Sequence, residues 1–170
     1  MSELVQPVFL NLGDTYFGEG EMQVETLLGS CVAIVLWHPL RRLGGMCHFV
    51  LPKRPRPADG QSLDGRYGEE ALMILLEQVR LHHSAIDEYT VKVFGGANVL
   101  GLSATERRIG PANAEFVLAI LQRWKIRVDA QDLAGEGYRY VRFDLRTGEI
   151  WLRHGQSLAQ EFTKVKGALG

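Results

Sequence analysis

Short apolar segments, separated by glycine, proline and polar residues, make up most of the chain. Those rich in β-branched and aromatic residues predict strands. The predicted strands cover residues 32–37, 45–51, 89–94, 126–128, 138–145 and 149–153. Residues 8–17 predict a short strand and a turn, and residues 24–28 lead into Gly29-Ser30-Cys31. Every residue of segment 32–37 is apolar, which is typical of a buried strand.

Two other segments carry apolar residues at helical spacing. The first begins near Tyr67, and its apolar stripe comprises Ala71, Leu72, Leu75, Leu76 and Val79. The second runs from about Pro111 to Trp124, with Phe116, Val117, Ile120 and Leu121 predicted to face inward. The order of elements predicts an α+β fold, in which two main helices pack on a layered, mixed or antiparallel β-sheet core.

Length and charge narrow the class of protein. A chain of 170 residues suits one domain, spanning residues 1–170. Lysine and arginine total 19 and aspartate and glutamate 20, so a net charge of −1 gives no reason to expect a nucleic acid partner. The apolar segments are too short to insert into a membrane, and the N-terminus lacks the pattern of a secretory signal. We therefore expect a cytoplasmic protein.

A long loop between two predicted elements is rich in proline and basic residues. It extends from Pro52 to Arg66, directly after a predicted strand. We expect it to be exposed and to overhang whatever site that strand carries. Its basic residues Lys53, Arg54 and Arg56 could steer acidic partners, or could simply keep a solvated loop soluble.

The two cysteines, Cys31 and Cys47, are too few for a disulfide framework. If residues 38–41 form a four-residue hairpin loop, Cys31 lies opposite His48 on the neighbouring strand, with Cβ atoms about 5 Å apart. That separation favours a thiolate–imidazolium pair, in which Cys31 is a nucleophile. Cys47 is adjacent to His48 in sequence and should point to the opposite face of the sheet.

Two residues before Cys31 suggest an oxyanion site. Gly29 permits a tight bend, and the backbone amides of Ser30 and Cys31 could then donate hydrogen bonds to an oxyanion. The alternative is that Gly29 and Ser30 only form a turn into the next strand.

A third residue would be needed to orient the imidazole of His48. Thr26 could bind its second nitrogen, although a threonine before a strand is often purely structural. Spacing alone does not choose between Thr26 and nearby acids, namely Asp14, Glu19, Glu21 and Glu25.

Searches for cofactor motifs are negative. The Gly18-Glu19-Gly20 segment lacks the third glycine of a dinucleotide fingerprint, and Gly95-Gly96 has no P-loop lysine. The five histidines lack metal-ligand spacing. We expect neither a cofactor nor a metal.

Several blocks of the sequence resemble the chemoreceptor glutamine deamidase family, CheD. The two most specific are residues 26–33 (TLLGSCVA) and 44–52 (GGMCHFVLP). The resemblance continues, in the family's order, through residues 66–68 (RYG), 93–98 (VFGGAN), Ile109-Gly110, Asn113 and Thr147-Gly148. The family commonly has asparagine where this chain has Cys47.

The resemblance implies a protein-glutamine glutaminase that converts receptor glutamines to glutamates, with some members also removing methyl esters. It implies a catalytic set of Cys31, His48 and Thr26, and a layered fold shared with toxin deamidases. We add Phe94 and Gly95 to Gly29 and Ser30 as candidate oxyanion or substrate-binding residues.

The implied partners are the cytoplasmic domains of chemoreceptors and, for some members, a CheC-type chemotaxis phosphatase. The alternative is a binding module that regulates such a phosphatase with weak or no catalysis. A further alternative is an unrelated cysteine hydrolase acting on a peptide or an ester.

Overall fold

A computed structural model describes residues 6–56, 60–99, 103–155 and 163–165. Its strands are β1 (Val8–Leu10), β2 (Thr15–Glu19), β3 (Gln23–Leu28), β4 (Val32–His38), β5 (Leu43–Cys47), β6 (Thr90–Gly95), β7 (Ala130–Leu133), β8 (Tyr138–Asp144), β9 (Ile150–Gly155) and β10 (Thr163–Lys164). The helices are α1 (Gly68–Leu81) and α2 (Ile109–Arg123), with short 3₁₀ turns at Ile86–Glu88 and Glu106–Arg108. The predicted α+β class is confirmed.

The strands form two mixed five-stranded sheets. The first sheet has the order β1-β3-β8-β9-β10, and the second has the order β2-β5-β4-β6-β7. The β1–β3 and β6–β7 pairs are parallel, and the other strand pairs are antiparallel.

The molecule has three layers, and the second sheet lies in the middle. One core cluster joins that sheet to the helices and includes Ile34, Leu36, Leu75 and Leu121. The other joins the two sheets and includes Val35 and residues of β3, β8 and β9. Strand β4 contributes to both clusters, which explains why its sequence is apolar at nearly every position.

Both helices follow their apolar stripes. Helix α1 buries Ala71, Leu72, Leu75 and Val79 against the second sheet, and α2 buries Val117, Ile120 and Leu121. Phe116 is half-buried, and its ring meets that of Phe49 edge-on at 6.2 Å. Among the described residues, neither helix has the length and apolar composition needed to cross a bilayer.

The predicted strand at 126–128 is wrong. Ile126 is buried, yet its segment connects α2 to the sheet, with the Ile126 N–H donating to the Leu121 carbonyl. The ladder begins only at Ala130. Apolar side chains therefore anchor this connection to the core without strand pairing. Strand β5 is also shorter than predicted, ending at Cys47, with isolated bridges continuing at Phe49 and Leu51.

The end of β6 lies unusually close to the start of α2. A Cβ on Gly95, whose φ is +112°, would lie 2.2 Å from the Cys31 carbonyl oxygen. A Cβ on Gly110 would lie 1.9 Å from the Ala97 carbonyl oxygen. Only glycine fits at both positions. The Gly95 contact holds β6 against the segment that carries Cys31, and the Gly110 contact holds α2 against the residues that follow β6.

Candidate active site

The β4–β5 hairpin brings the strands of Cys31 and His48 together with a register that differs from the prediction. The loop is 39–42, since His38 pairs with Leu43 and Val35 with Met46. The same register continues to the Val32–Phe49 bridge, so that Ala33 lies opposite His48 and Cys31 opposite Val50. The predicted direct opposition of Cys31 and His48 is therefore wrong by two residues. A shift of two preserves the face, so the two side chains are diagonal neighbours on one face.

The core clusters show which face this is. Cys31 packs in the cluster between the two sheets, with Ala33, Val35 and Met46. Cys47 packs in the cluster beneath the helices, with Phe49. The prediction that Cys47 points away from the imidazole face is confirmed.

Thr26 reaches His48 from the first sheet. Strand β3 places Thr26 on its inner face, fully buried, and His48 is only 2% exposed. The Thr26 Oγ1 lies 2.6 Å from His48 Nδ1 and donates its proton to the Leu10 carbonyl at 2.8 Å.

These contacts fix the tautomer of the imidazole. A hydroxyl has one proton, and Thr26 gives it to Leu10, because a carbonyl can only accept. His48 Nδ1 must therefore be the donor to Thr26, which leaves Nε2 with a free lone pair. Nε2 is buried and has no hydrogen-bond partner within the described ranges. It is thus available to accept a proton.

Burial opposes charge on both partners. It raises the pKa of the Cys31 thiol to about 11 and lowers the pKa of His48 to about 4, although the nearby Asp14 carboxylate acts in the opposite direction on His48. Burial therefore favours the neutral thiol and the neutral imidazole at neutral pH. This differs from the thiolate–imidazolium pair expected from sequence, because desolvation penalises both charged forms.

The backbone carbonyls of Gly29, Ser30 and Cys31 all accept hydrogen bonds from other parts of the protein. Gly29 O accepts from the Ala97 N–H at 3.0 Å, and Cys31 O accepts from the Gly96 N–H at 2.8 Å. Ser30 O accepts from the Asn113 side-chain amide at 2.9 Å. By contrast, the N–H groups of Ser30 and Cys31 donate to no group in the part of the chain that the structure describes.

The other predicted site residues lie in different settings. Phe94 is fully buried in the inter-sheet core, so its side chain offers no surface to a substrate. Gly95 supports the Cys31 backbone, and Arg139 and the Ala134 N–H bind its carbonyl. Gly29 lies against Val99 and Tyr138 at the edge of the site.

The acidic alternatives do not orient the imidazole through their carboxylates. Glu25 binds Tyr140 and Arg142. The Asp14 carboxylate accepts the Asn11 N–H, while its backbone carbonyl accepts the His48 N–H at 3.1 Å. Among the candidates, Thr26 is the residue whose side chain binds the ring.

Asn113 is a site residue for which the sequence pattern predicted no role. It is fully buried in α2, and its Nδ2 donates to both Ser30 O and Val50 O. A signal was present, because Asn113 stands four residues before Val117 and thus on the buried stripe of the helix. A polar residue on such a stripe needs partners in the interior.

Two basic residues of the loop after His48 form ion pairs with helix α1. Two guanidinium nitrogens of Arg54, Nε and Nη2, donate to the Glu70 carboxylate at 3.1 and 2.7 Å. Lys53 lies 3.6 Å from Glu69. The loop then returns to the site, since the Val50 N–H donates to the Arg66 carbonyl. Arg54 is therefore a structural ion pair rather than a free steering charge.

Comparison with known proteins identifies the family. Residues 50–154 match the family model described as CheD chemotactic sensory transduction. A relative from Dechloromonas aromatica, named "Probable chemoreceptor glutamine deamidase CheD 3", is 41% identical over 161 residues, which cover 94% of each chain. One from Pseudomonas syringae pv. syringae, named "Probable chemoreceptor glutamine deamidase CheD", is 40% identical and covers 92% of this chain and 89% of its own.

A more distant relative, from Leptospira interrogans, is 34% identical over 158 residues and has the same kind of name. An alignment over 94% of the chain necessarily includes residues 26–48, where the candidate site lies. This α+β chain therefore belongs to the CheD family.

Proposed function

We propose that this protein hydrolyses the side-chain amides of specific glutamines on chemoreceptors, converting them to glutamates. The relatives carry that activity in their names. The observation that carries the proposal is the buried Thr26–His48 contact, which leaves Nε2 of His48 unprotonated on the face that it shares with Cys31.

The first half-reaction forms a thioester. Cys31 Sγ attacks the amide carbon while its proton moves to His48 Nε2, because both groups are neutral at rest. The backbone N–H groups of Ser30 and Cys31 donate to the resulting oxyanion. The imidazolium then returns the proton to the departing nitrogen, and ammonia leaves as the C–N bond breaks.

The second half-reaction restores the thiol. His48 Nε2 takes a proton from water, whose oxygen attacks the thioester carbon. The C–S bond then breaks, and the imidazolium returns that proton to the departing sulfur. The products are the glutamate carboxylic acid, which then ionises, and the free Cys31 thiol. Throughout, Thr26 holds Nδ1–H, so that only Nε2 exchanges protons.

The test is to incubate a purified receptor cytoplasmic fragment with the protein and to measure glutamine-to-glutamate conversion by peptide mass spectrometry. Ammonia release should match the number of converted residues. Cys31→Ala should abolish both signals, and Cys47→Ala is the matched control, since it removes the other thiol of the same hairpin.

Added hydroxylamine should intercept the thioester and yield a glutamate γ-hydroxamate at the same sites, with release of the Cys31 thiol. Conversion that persists in Cys31→Ala would exclude the proposed nucleophile. A complete lack of conversion by the wild-type protein, with receptor binding intact, would favour the binding-module alternative.

A further inference from the structure

Asn113 connects the segments that carry the nucleophile and the base. Its two amide hydrogens are directed at Ser30 O, at 2.9 Å, and Val50 O, at 2.8 Å. Both partners are carbonyls, so the NH₂ group and not the oxygen must face them. Ser30 precedes Cys31, and Val50 lies two residues after His48.

The bond to Ser30 controls the direction of the next amide. A peptide group is planar and trans, so the carbonyl of Ser30 and the N–H of Cys31 point in opposite directions. Asn113 draws that carbonyl inward, and the Cys31 N–H is consequently turned outward. The Ala97 N–H acts in the same way on Gly29 O and the Ser30 N–H.

Burying the polar side chain of Asn113 at this position is energetically unfavourable, which indicates that the residue does more than fill space. The side chain is fully buried, and its Oδ1 has no partner among the described residues. An unsatisfied buried amide oxygen destabilises the fold, because it has lost its hydrogen bonds to water. An apolar residue would avoid that penalty on a stripe that otherwise buries Val117, Ile120 and Leu121.

We propose that Asn113 is a positioning residue that aims the Cys31 backbone amide at the developing oxyanion. This inference rests on the proposed function of Cys31. Asn113 touches no reacting atom and acts through the Ser30 peptide. Losing an oxyanion donor outright typically costs about 10²–10³ in kcat, and a misdirected donor should cost somewhat less.

The test compares Asn113→Ala with wild type in two reactions of the same thiol. Deamidation of the receptor fragment develops an oxyanion, whereas alkylation of Cys31 by iodoacetamide does not. We expect kcat for deamidation to fall about 10- to 100-fold with KM nearly unchanged. The alkylation rate at alkaline pH should stay within about twofold, because it needs only the thiolate.

Val117→Ala is the control for stability, because it removes buried volume from the same helix without touching the Ser30 or Val50 carbonyls. Its melting temperature should fall with little change in kcat. Rates are expressed per folded molecule, measured by near-ultraviolet circular dichroism.

Each outcome decides the proposal. Unchanged kcat in Asn113→Ala overturns it, and so does a parallel loss of deamidation and alkylation, which would indicate general disorder of the site. If Asn113→Ala does not fold, Asn113→Ser replaces it, since its short hydroxyl cannot reach both carbonyls. If neither variant folds, Asn113 is structural and the proposal is overturned. Absence of deamidation by wild type would instead refute the proposed function.

Discussion

Cys31 and Cys47 point to opposite faces of the same two neighbouring segments. They are similar in burial, so burial alone does not explain why only one of them is a candidate nucleophile. Both are buried, and burial raises the pKa of both, to about 11 and about 12. Cys47 is the sequence neighbour of His48, yet it packs beneath the helices. Cys31 lies on the other strand and shares the face of the imidazole.

The strand pleat, and not adjacency in the chain, therefore decides which thiol shares the face of His48. Thiol acidity at rest does not distinguish the two sites. What distinguishes Cys31 is that it lies on the same face as His48, whose Nε2 keeps its lone pair. In addition, the N–H groups of Ser30 and Cys31 have no acceptor in the described part of the chain.

The largest effect on activity should come from replacing Cys31 with alanine. The same replacement of Cys47 is the comparison. Cys31→Ala should lower deamidation by at least about 10³-fold, since it removes the nucleophile. Cys47→Ala should keep most activity and lower stability by about 1 kcal/mol, through lost packing. Receptor deamidation and urea unfolding measure the two quantities. An inactive Cys47→Ala that folds normally would contradict the face assignment.

His48→Gln should lower receptor deamidation about 10²- to 10⁴-fold, because it removes the proton acceptor.

Alkylation of wild-type Cys31 should be slow at neutral pH and accelerate as pH rises toward about 11. Fast alkylation at neutral pH that is lost in His48→Gln would instead indicate a resting thiolate–imidazolium pair.

The same substitution should change the pH dependence of stability. The pKa of His48 falls from an ordinary 6.5 to about 4 on folding. The unfolded chain therefore binds the extra proton first, and the free energy of unfolding should decrease as pH falls from about 6.5 to about 4. The loss should total up to about 3 kcal/mol and be missing from His48→Gln. Urea unfolding at a series of pH values measures it.

Thr26→Val should reduce kcat about 10- to 100-fold, because the ring loses the acceptor that keeps the proton on Nδ1. The matched control is Thr15→Val, since the Thr15 hydroxyl is buried and has no hydrogen-bond partner within the described residues. That control should keep both its activity and its stability. Equal kcat in the two variants would remove Thr26 from the site.

The smallest effect should come from the exposed charges of the loop. Replacing Lys53 and Arg56 with serine should lower activity on the receptor fragment a few-fold and flatten its salt dependence, because the Debye length is about 8 Å at physiological ionic strength. Activity on a short neutral glutamine peptide should not change. Arg54→Ser should act on stability instead, since Arg54 is bound to Glu70. An equal loss on both substrates would mean that the loop shapes the site.

Local pattern was enough for most elements of the fold. The apolar segment 32–37 became the central strand β4, and the predicted stripes of both helices are the buried ones. The hairpin register was misplaced because the turn begins at Pro39 and not at His38. The face assignment survived, since the error was an even number of residues.

The pattern of the sequence did not predict the contacts between the two sheets, or those between α2 and the second sheet. Thr26 meets His48 across two sheets, and nothing in spacing distinguishes it from Asp14. Family resemblance supplied that choice. The role proposed for Asn113 depends on where α2 lies against the residues after β6, a position at which Gly110 closely approaches the Ala97 carbonyl.

The protonated resting state of Cys31 also bears on oxidative damage. With a pKa of about 11, the thiol is ionised in only about one molecule in ten thousand at neutral pH, whereas an ordinary cysteine is ionised to a few per cent. Peroxide reacts with the thiolate, so Cys31 should resist sulfenic acid formation between turnovers. The second thiol of the chain faces the other side of the sheet, and a disulfide between the two would require the backbone to move. If Cys31 is the proposed nucleophile, burial that disfavours its thiolate would also limit its oxidation between turnovers.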